Sequence, residues 1–172
     1  MSASWETPLL ALFDRWLARY RAGQTRWESF SDSEDEAFLR SIGYTPRELF
    51  DYVEDHANHG EPDAGTIINI AGVRREYFLN VQGGKPSTNL ITPAELPGKG
   101  DTLDGIAWLP RLIRKAEGKL RGELDPDIMY GCPGDLAFFE SHGLDPVEFL
   151  RFVWECAGDR QQIVQHVIAA GH

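Results

Sequence analysis

The chain has 172 residues, of which 42% are hydrophobic and 26% are charged, and its formal net charge at pH 7 is −10. This length and composition are typical of an ordinary globular protein with one or two small domains. The acidic balance argues against non-specific binding of nucleic acid or of anionic membranes, because both need a positive protein surface. No stretch approaches the ~18 uninterrupted apolar residues of a membrane-spanning helix, so we expect none.

Two further features bear on localisation. Residues 1–6 show no basic segment followed by an apolar core, so we expect no secretory signal. Cys132 and Cys156 are the only cysteines, which fits a reducing cytosol better than a disulfide framework. We therefore expect a cytoplasmic protein, either a monomer or a homodimer.

The first part of the chain, residues 1–82, is predicted to be helical. Four helices follow from apolar stripes and their flanking caps: 7–22, a short helix after residue 31, 44–56 and 66–82. The first has a predicted inner face made of Leu9, Leu10, Leu12, Phe13, Trp16, Leu17 and Tyr20. Residues 77–85 could instead form a hairpin turn, but the apolar stripe that begins at Ile67 favours a helix.

The rest of the chain begins with a segment, residues 83–107, that has several prolines and few apolar residues and is predicted to be a linker or an ordered loop. Residues 108–172 then repeat the helical pattern, starting with an amphipathic helix at Trp108. Five basic residues are predicted to form the outer face of that helix: Arg111, Arg114, Lys115, Lys119 and Arg121. No stretch reads convincingly as a strand, so the predicted fold class is all-α.

An internal repeat relates the two halves. Residues 35–55 and 135–155 align without a gap at an offset of 100 positions, and eight of the 21 aligned positions are identical. Chance would give roughly one or two identities, so we infer a duplicated unit. We predict two tandem, diverged helical repeats, residues 1–82 and 108–172, packed about a pseudo-two-fold axis as a single globule.

The repeat contains a helix-initiation signal. Thr45 and Asp145 are predicted N-caps, and each is followed by a proline and, at the third helical position, by Glu48 or Glu148. A cap residue, a proline at the first position and a glutamate at the third are typical of a helix start. The two glutamates are therefore explained by helix initiation rather than by catalysis.

Three motifs of the second half carry a family resemblance: WLPRLIxKA at 108–116, YxCPxD at 130–135 and FFExHGLD at 138–145. Together they resemble a bacterial family known only as a domain of unknown function, the one numbered five thousand and sixty-nine. The resemblance covers residues 108–171 and implies a small helical domain, without a known activity. The first half differs from these motifs at four of the positions that align with them, where it has Arg15, Phe30, Asp32 and Ile42. If the family has a functional site, only the second half could carry it.

Cys132, Asp135 and His142 are the candidate catalytic residues. Cys132 is predicted at a helix N-terminus, where the positive end of the helix dipole favours the nucleophilic thiolate, and His142 could assist it. The alternative is structural, with Cys132 as a buried cap residue, Asp135 as a capping carboxylate and His142 as a polar residue at a loop end.

Candidate ligand-binding residues are Arg111, Lys115 and Tyr130. Arg111 and Lys115 are four positions apart on one predicted helix, so the two cations could together bind a carboxylate or a phosphate. His56 and His59 are weak candidates for a metal site, because they straddle a helix end and lack the HExxH pattern. We expect no metal and no cofactor.

Two functions remain open at this point. The first is a binding or interaction module, which predicts an exposed apolar or aromatic patch, although most of the five tryptophans should lie in the core. The second is a small enzyme or an anionic-ligand binder with its site in the second repeat. The corresponding partners are another protein or a small anionic ligand, with neither a membrane nor non-specific nucleic acid involved.

Overall fold

The computed structural model describes residues 4–171. Within this range the backbone forms eight α-helices and one two-stranded antiparallel sheet, which confirms the predicted, mostly helical architecture. The chain divides between Lys85 and Pro86 into two compact units, which we call the first unit and the second unit. None of the helices in the described range is both long and apolar enough to cross a membrane.

The first unit contains four helices and a short 3₁₀ turn at Trp27–Ser29. The helices are α1 (Glu6–Arg21), α2 (Ser33–Ser41), α3 (Pro46–His59) and α4 (Ala64–Asn80). The Asp32 carboxylate starts α2 by accepting hydrogen bonds from the backbone N–H groups of Glu34 and Asp35. The predicted capping box is present at the start of α3, where Thr45 and Glu48 accept each other's backbone N–H groups.

Aromatic side chains fill the interior of the first unit. The Phe30 ring packs edge to face against Trp16 of α1, with ring centroids 5.5 Å apart. It packs in the same way against Phe50 of α3, at 5.1 Å. Leu9 is fully buried, but its neighbour Leu10 is 42% exposed, so its predicted place on the inner face was wrong. Adjacent helical residues point about 100° apart, which turns Leu10 away from the stripe that Leu9 and Trp16 share.

The second unit contains a 3₁₀ turn, a hairpin and four helices. These elements are Pro93–Glu95, β1 (Thr102–Leu103), β2 (Ile106–Ala107), α5 (Leu109–Arg121), α6 (Pro133–Ser141), α7 (Pro146–Glu155) and α8 (Arg160–Ala170). Strand β1 pairs antiparallel with β2, a hairpin that the sequence did not predict because each strand has only two residues. Asp145 and Asp159 cap α7 and α8 with their side chains.

The segment before the hairpin is attached to the second unit by apolar contacts. Ile91 and Leu96 are buried and pack with Ile128 and Leu124 in a small cluster. The Ile91 N–H donates to the Glu123 carbonyl at 2.6 Å, and its own carbonyl accepts from Asp125 N–H at 3.1 Å. The segment has few apolar residues, but Ile91 and Leu96 are buried, and their burial attaches it to the second unit.

Two side-chain placements differ from the sequence predictions. Lys115 and Lys119, predicted on the outer face of the first helix of the second half, are only 3% and 2% exposed. Of the five tryptophans, Trp16 alone is fully buried and the other four are half-buried. Periodicity alone cannot tell a buried, paired lysine from an exposed one, because the pairing partner lies elsewhere in the chain.

Gly43 occupies a tightly packed turn after α2. Its φ of +81° lies in the left-handed region, and a Cβ atom built there would lie 2.8 Å from Cγ of Phe78. Gly60, at the end of α3, has a similar φ of +74°, but a Cβ atom there would meet no atom within 4 Å. Alanine in place of Gly60 therefore introduces backbone strain alone, whereas alanine in place of Gly43 introduces the same strain and a steric clash.

We expect Gly43→Ala to destabilise the first unit more than Gly60→Ala does. Gly60→Ala should lower the free energy of unfolding by about 1 kcal/mol, the cost of a left-handed alanine. Gly43→Ala should lower it by roughly 2–4 kcal/mol, because overpacking adds to that strain. Urea denaturation of both variants measures the difference, and equal losses would contradict the close approach of Phe78.

Candidate functional site

The candidate residues Lys115, Cys132 and Asp135 come together where α5 meets the start of α6. Lys115 Nζ forms an ion pair with Asp135 Oδ2 and also donates to Cys132 Sγ at 3.3 Å. The side chains of Lys115 and Asp135 are 4% and 0% exposed, whereas Cys132 is half-buried and has a free thiol. The site therefore consists of a buried ion pair with a half-buried cysteine at its edge.

Asp135 accepts three hydrogen bonds in all. Besides Lys115, the backbone N–H of Gly131 donates to Oδ2 and the indole Nε1–H of Trp108 donates to Oδ1, both at 2.9 Å. A carboxylate with no exposed surface needs such partners, because an unpaired buried charge is very costly. The Asp135 carboxylate thus ties the turn before α6 to side chains of Trp108 and Lys115.

His142 lies far from Cys132. The two residues flank α6 at its opposite ends, and at about 1.5 Å per residue a ten-residue helical step is roughly 15 Å long. The His142 ring stacks on Phe138 with centroids 4.1 Å apart, and its Nδ1 lies 2.9 Å from the Phe138 carbonyl oxygen. A direct Cys132–His142 pair, which the catalytic hypothesis required, is therefore not formed.

Arg111 and Tyr130 are held by backbone carbonyls of the second unit. Arg111 donates to the Pro97 carbonyl at 2.9 Å, and its guanidinium lies over the Trp108 ring. The Tyr130 hydroxyl donates to the Pro146 carbonyl at 2.7 Å. Arg111 and Lys115 thus have different partners and do not present a shared anion site.

Burial raises the pKa of Tyr130 well above its ordinary value of 10.0, and the nearby negative charges of Asp135 and Asp145 raise it further. The hydroxyl is therefore protonated at neutral pH and acts as a hydrogen-bond donor to Pro146. This describes a packing contact rather than a catalytic base.

The first unit has an ion pair 100 positions earlier, between Arg15 on α1 and Asp35 on α2. There the cation is much more accessible, since the Arg15 side chain is 54% exposed and that of Asp35 is 10% exposed. Asp32 stands at the position of Cys132 and caps its helix with a carboxylate. A cation–carboxylate pair between two helices is therefore present in each unit, but a sulfur is present only in the second.

His56 and His59 do not converge on a common point. His56 Nδ1 lies 2.8 Å from the Pro62 carbonyl oxygen, and its ring packs edge-on against Phe13, while His59 is exposed at the end of α3. Burial raises the pKa of Asp55 nearby, with His59 acting in the opposite direction. Within residues 4–171, no group of three or more His, Cys, Asp or Glu side chains is arranged to hold a metal ion.

A cleft that the sequence did not reveal opens on the second unit, with a volume of about 470 Å³. Its lining consists of Asn89, Leu90, Ile91, Glu95, Arg114, Arg121 and Glu123. Small-ligand sites have volumes of about 300–1,000 Å³, so the cleft is large enough for one. The available signal was the seven-residue spacing of Arg114 and Arg121, which places both on one side of α5.

The charges in the cleft balance. Arg114 and Arg121 line the cleft together with Glu95 and Glu123, and Leu90 adds an apolar side chain that is 53% exposed. Hydrogen bonds from Thr92 hold the pKa of Glu95 below its ordinary value, so this carboxylate is ionised at neutral pH. Two cations, two carboxylates and one aliphatic group favour a ligand with mixed chemistry.

No family model, no curated protein and no solved structure matches the chain. The resemblance of residues 108–171 to a bacterial domain of unknown function therefore stays a prediction.

Removing the negative charge of Asp135 should cost far more stability than removing that of Asp35. Asp135→Asn leaves the Lys115 ammonium buried and unpaired, a loss of about 3–5 kcal/mol. Asp35→Asn leaves Arg15 in contact with water, so we expect about 1 kcal/mol or less. Differential scanning calorimetry of the two variants provides the comparison. Similar losses would show that burial does not set the strength of the Lys115–Asp135 pair.

The raised pKa of Tyr130 predicts that the protein loses stability in alkali. Above pH 10.0 the tyrosine ionises in the unfolded chain but stays protonated in the folded protein, which favours unfolding. The contribution of Tyr130 to stability is therefore complete below pH 10.0 and is lost as the pH rises from there towards the folded-state pKa. Tyr130→Phe should lose about 1 kcal/mol at neutral pH with its hydrogen bond. Its stability should then fall less steeply than that of the wild type above pH 10. Urea midpoints on both sides of pH 10 test this, and parallel curves would contradict it.

Proposed function

We propose that the protein is a binding module rather than an enzyme. The observation that carries this proposal is that the polar candidates in the second unit are held by partners within the fold. Lys115 is paired with Asp135, Arg111 with a backbone carbonyl and Tyr130 with another. A catalytic group must reach its substrate, so these side chains would first have to give up contacts inside the unit.

We further propose that the module consists of two diverged copies of one helical unit. Helices α2 and α6 begin and end 100 positions apart, and α3 and α7 begin at the same offset. The ion pairs Arg15–Asp35 and Lys115–Asp135 also correspond at this spacing. Both observations support a duplication, and a pseudo-two-fold arrangement of the copies remains the prediction made from the sequence.

The proposed ligand is a polypeptide segment, bound in the cleft beside Leu90. The support comes from charge complementarity, because a peptide can offer carboxylates to Arg114 and Arg121 and cations to Glu95 and Glu123. The exposed Leu90 adds an apolar contact of the kind that anchors protein partners. We place this interaction in the cytosol, which the two free cysteines support.

A small anionic ligand is the second candidate. The observation in its favour is that two arginines of one helix line the same cleft, since guanidinium groups bind carboxylates and phosphates well. The two glutamates in the same lining oppose a simple anion by like-charge repulsion. The peptide is therefore the preferred ligand.

We expect Leu90→Asp to weaken peptide binding by about tenfold or more, equivalent to roughly 1.4 kcal/mol, because it removes the apolar contact and adds a third carboxylate to the cleft. The probe is a random peptide library displayed on phage and selected on the immobilised 172-residue chain. Ile168→Asp is the matched control, because Ile168 is 48% exposed on the same unit and does not line the cleft.

Enriched peptides should bind the wild type and Ile168→Asp equally well and should carry both acidic and basic residues. Peptides that bind Leu90→Asp with undiminished affinity, or the absence of any enriched peptide, would contradict the proposed peptide site. A rise in melting temperature with inorganic phosphate that is lost in Arg114→Ala would favour the anion-binding alternative instead.

A further inference from the structure

We propose that Lys115 and Cys132 form a covalent sulfenamide bridge, linking Nζ to Sγ, when the thiol is oxidised by hydrogen peroxide. This is a modification site, separate from the binding role proposed above. The two atoms that would be joined already lie 3.3 Å apart. Lys115 lies in the middle of α5 and Cys132 at the start of α6, so forming the bond requires the two side chains to approach each other further.

The amine is fixed in place beside the sulfur. The Lys115 side chain is 4% exposed, and Asp135 holds its Nζ from the other side. Cys132 is half-buried, so part of this residue is open to solvent, and hydrogen peroxide is a small oxidant. A sulfenic acid formed there would therefore lie beside the Lys115 nitrogen, which becomes a nucleophilic amine once it gives a proton to Asp135.

Helix initiation does not account for the cysteine. Cys132 occupies the N-cap position of α6, but its side chain accepts no hydrogen bond from the first turn. Asp32, in the corresponding position of the first unit, accepts two. Ser, Thr, Asp and Asn are the favoured N-cap residues, so a thiol is a poor helix cap. The polar contact that the Cys132 sulfur does make is with Lys115 Nζ.

The chemistry balances with peroxide as the only added reagent. In the first step the Cys132 thiol attacks peroxide, the O–O bond breaks, and sulfenic acid and water form as sulfur loses two electrons. In the second step the Lys115 ammonium first gives one proton to the Asp135 carboxylate, which frees the lone pair of Nζ. The amine then attacks this sulfur, the S–O bond breaks, and the departing hydroxyl takes a second proton from the nitrogen and leaves as water. The product is a neutral S–N bridge beside a protonated Asp135.

A thiol reductant should reverse the modification. A small thiol attacks Sγ, the S–N bond breaks, and the amine takes up protons again, including the one held by Asp135. A second thiol then releases Cys132 from the mixed disulfide. The ion pair between Lys115 and Asp135 is thereby lost on oxidation and restored on reduction.

Intact-mass spectrometry of the whole chain before and after peroxide treatment tests the proposal. The expected product is lighter than the reduced protein by two hydrogen atoms, and protease digestion should yield one linked pair of peptides that contain Lys115 and Cys132. Cys156→Ser is the matched control and should give the same product, because the Cys156 thiol faces the Val153 carbonyl. Cys132→Ser should give none.

Lys115→Arg separates the bridge from simple thiol oxidation. The guanidinium keeps the positive charge for Asp135, as Arg15 does for Asp35 in the first unit, so this variant is expected to fold. It should stop at the sulfenic acid, heavier by one oxygen atom and trapped by dimedone. If wild-type Cys132 gives that same unlinked acid, or does not react while free cysteine is oxidised, the proposal is overturned.

Discussion

Asp135 is the residue on which the geometry of the second unit depends. Its carboxylate has no exposed surface, yet it receives the Lys115 ammonium, the Trp108 indole N–H and the Gly131 backbone N–H. These donors come from the start of α5, its middle and the turn before α6. Since a buried charge without partners is costly, satisfying this carboxylate fixes how α6 lies against α5.

The residues around Asp135 can be understood through the same constraint. Gly134 lets the Trp108 ring approach so closely that a Cβ atom would lie 2.7 Å from it. Pro133 takes the first position of α6, where its missing N–H costs nothing. Tyr130 holds the start of α7 through the Pro146 carbonyl. The residues of the YxCPxD motif at 130–135 are therefore largely explained by packing within the second unit.

Local signals in the sequence were sufficient for the helices and insufficient for the site. N-caps and apolar stripes operate within a few residues, so the starts of α3 and α7 could be predicted from Thr45 and Asp145. The burial of Lys115 depends on a carboxylate twenty positions away, and periodicity carries no information about that contact. The cleft was missed for the same reason, because Leu90 lies in a segment that a sequence reading treats as a linker.

The contrast between the two units shows which features of the site the fold does not require. An arginine is enough to pair with Asp35, and a carboxylate at position 32 caps its helix better than a thiol can. A lysine and a cysteine at the corresponding positions keep the ion pair but weaken the cap. A lysine amine can be a nucleophile once it loses a proton, whereas a guanidinium stays protonated. Placing this amine 3.3 Å from a sulfur therefore adds a reactive possibility to a contact that, in the first unit, is structural alone.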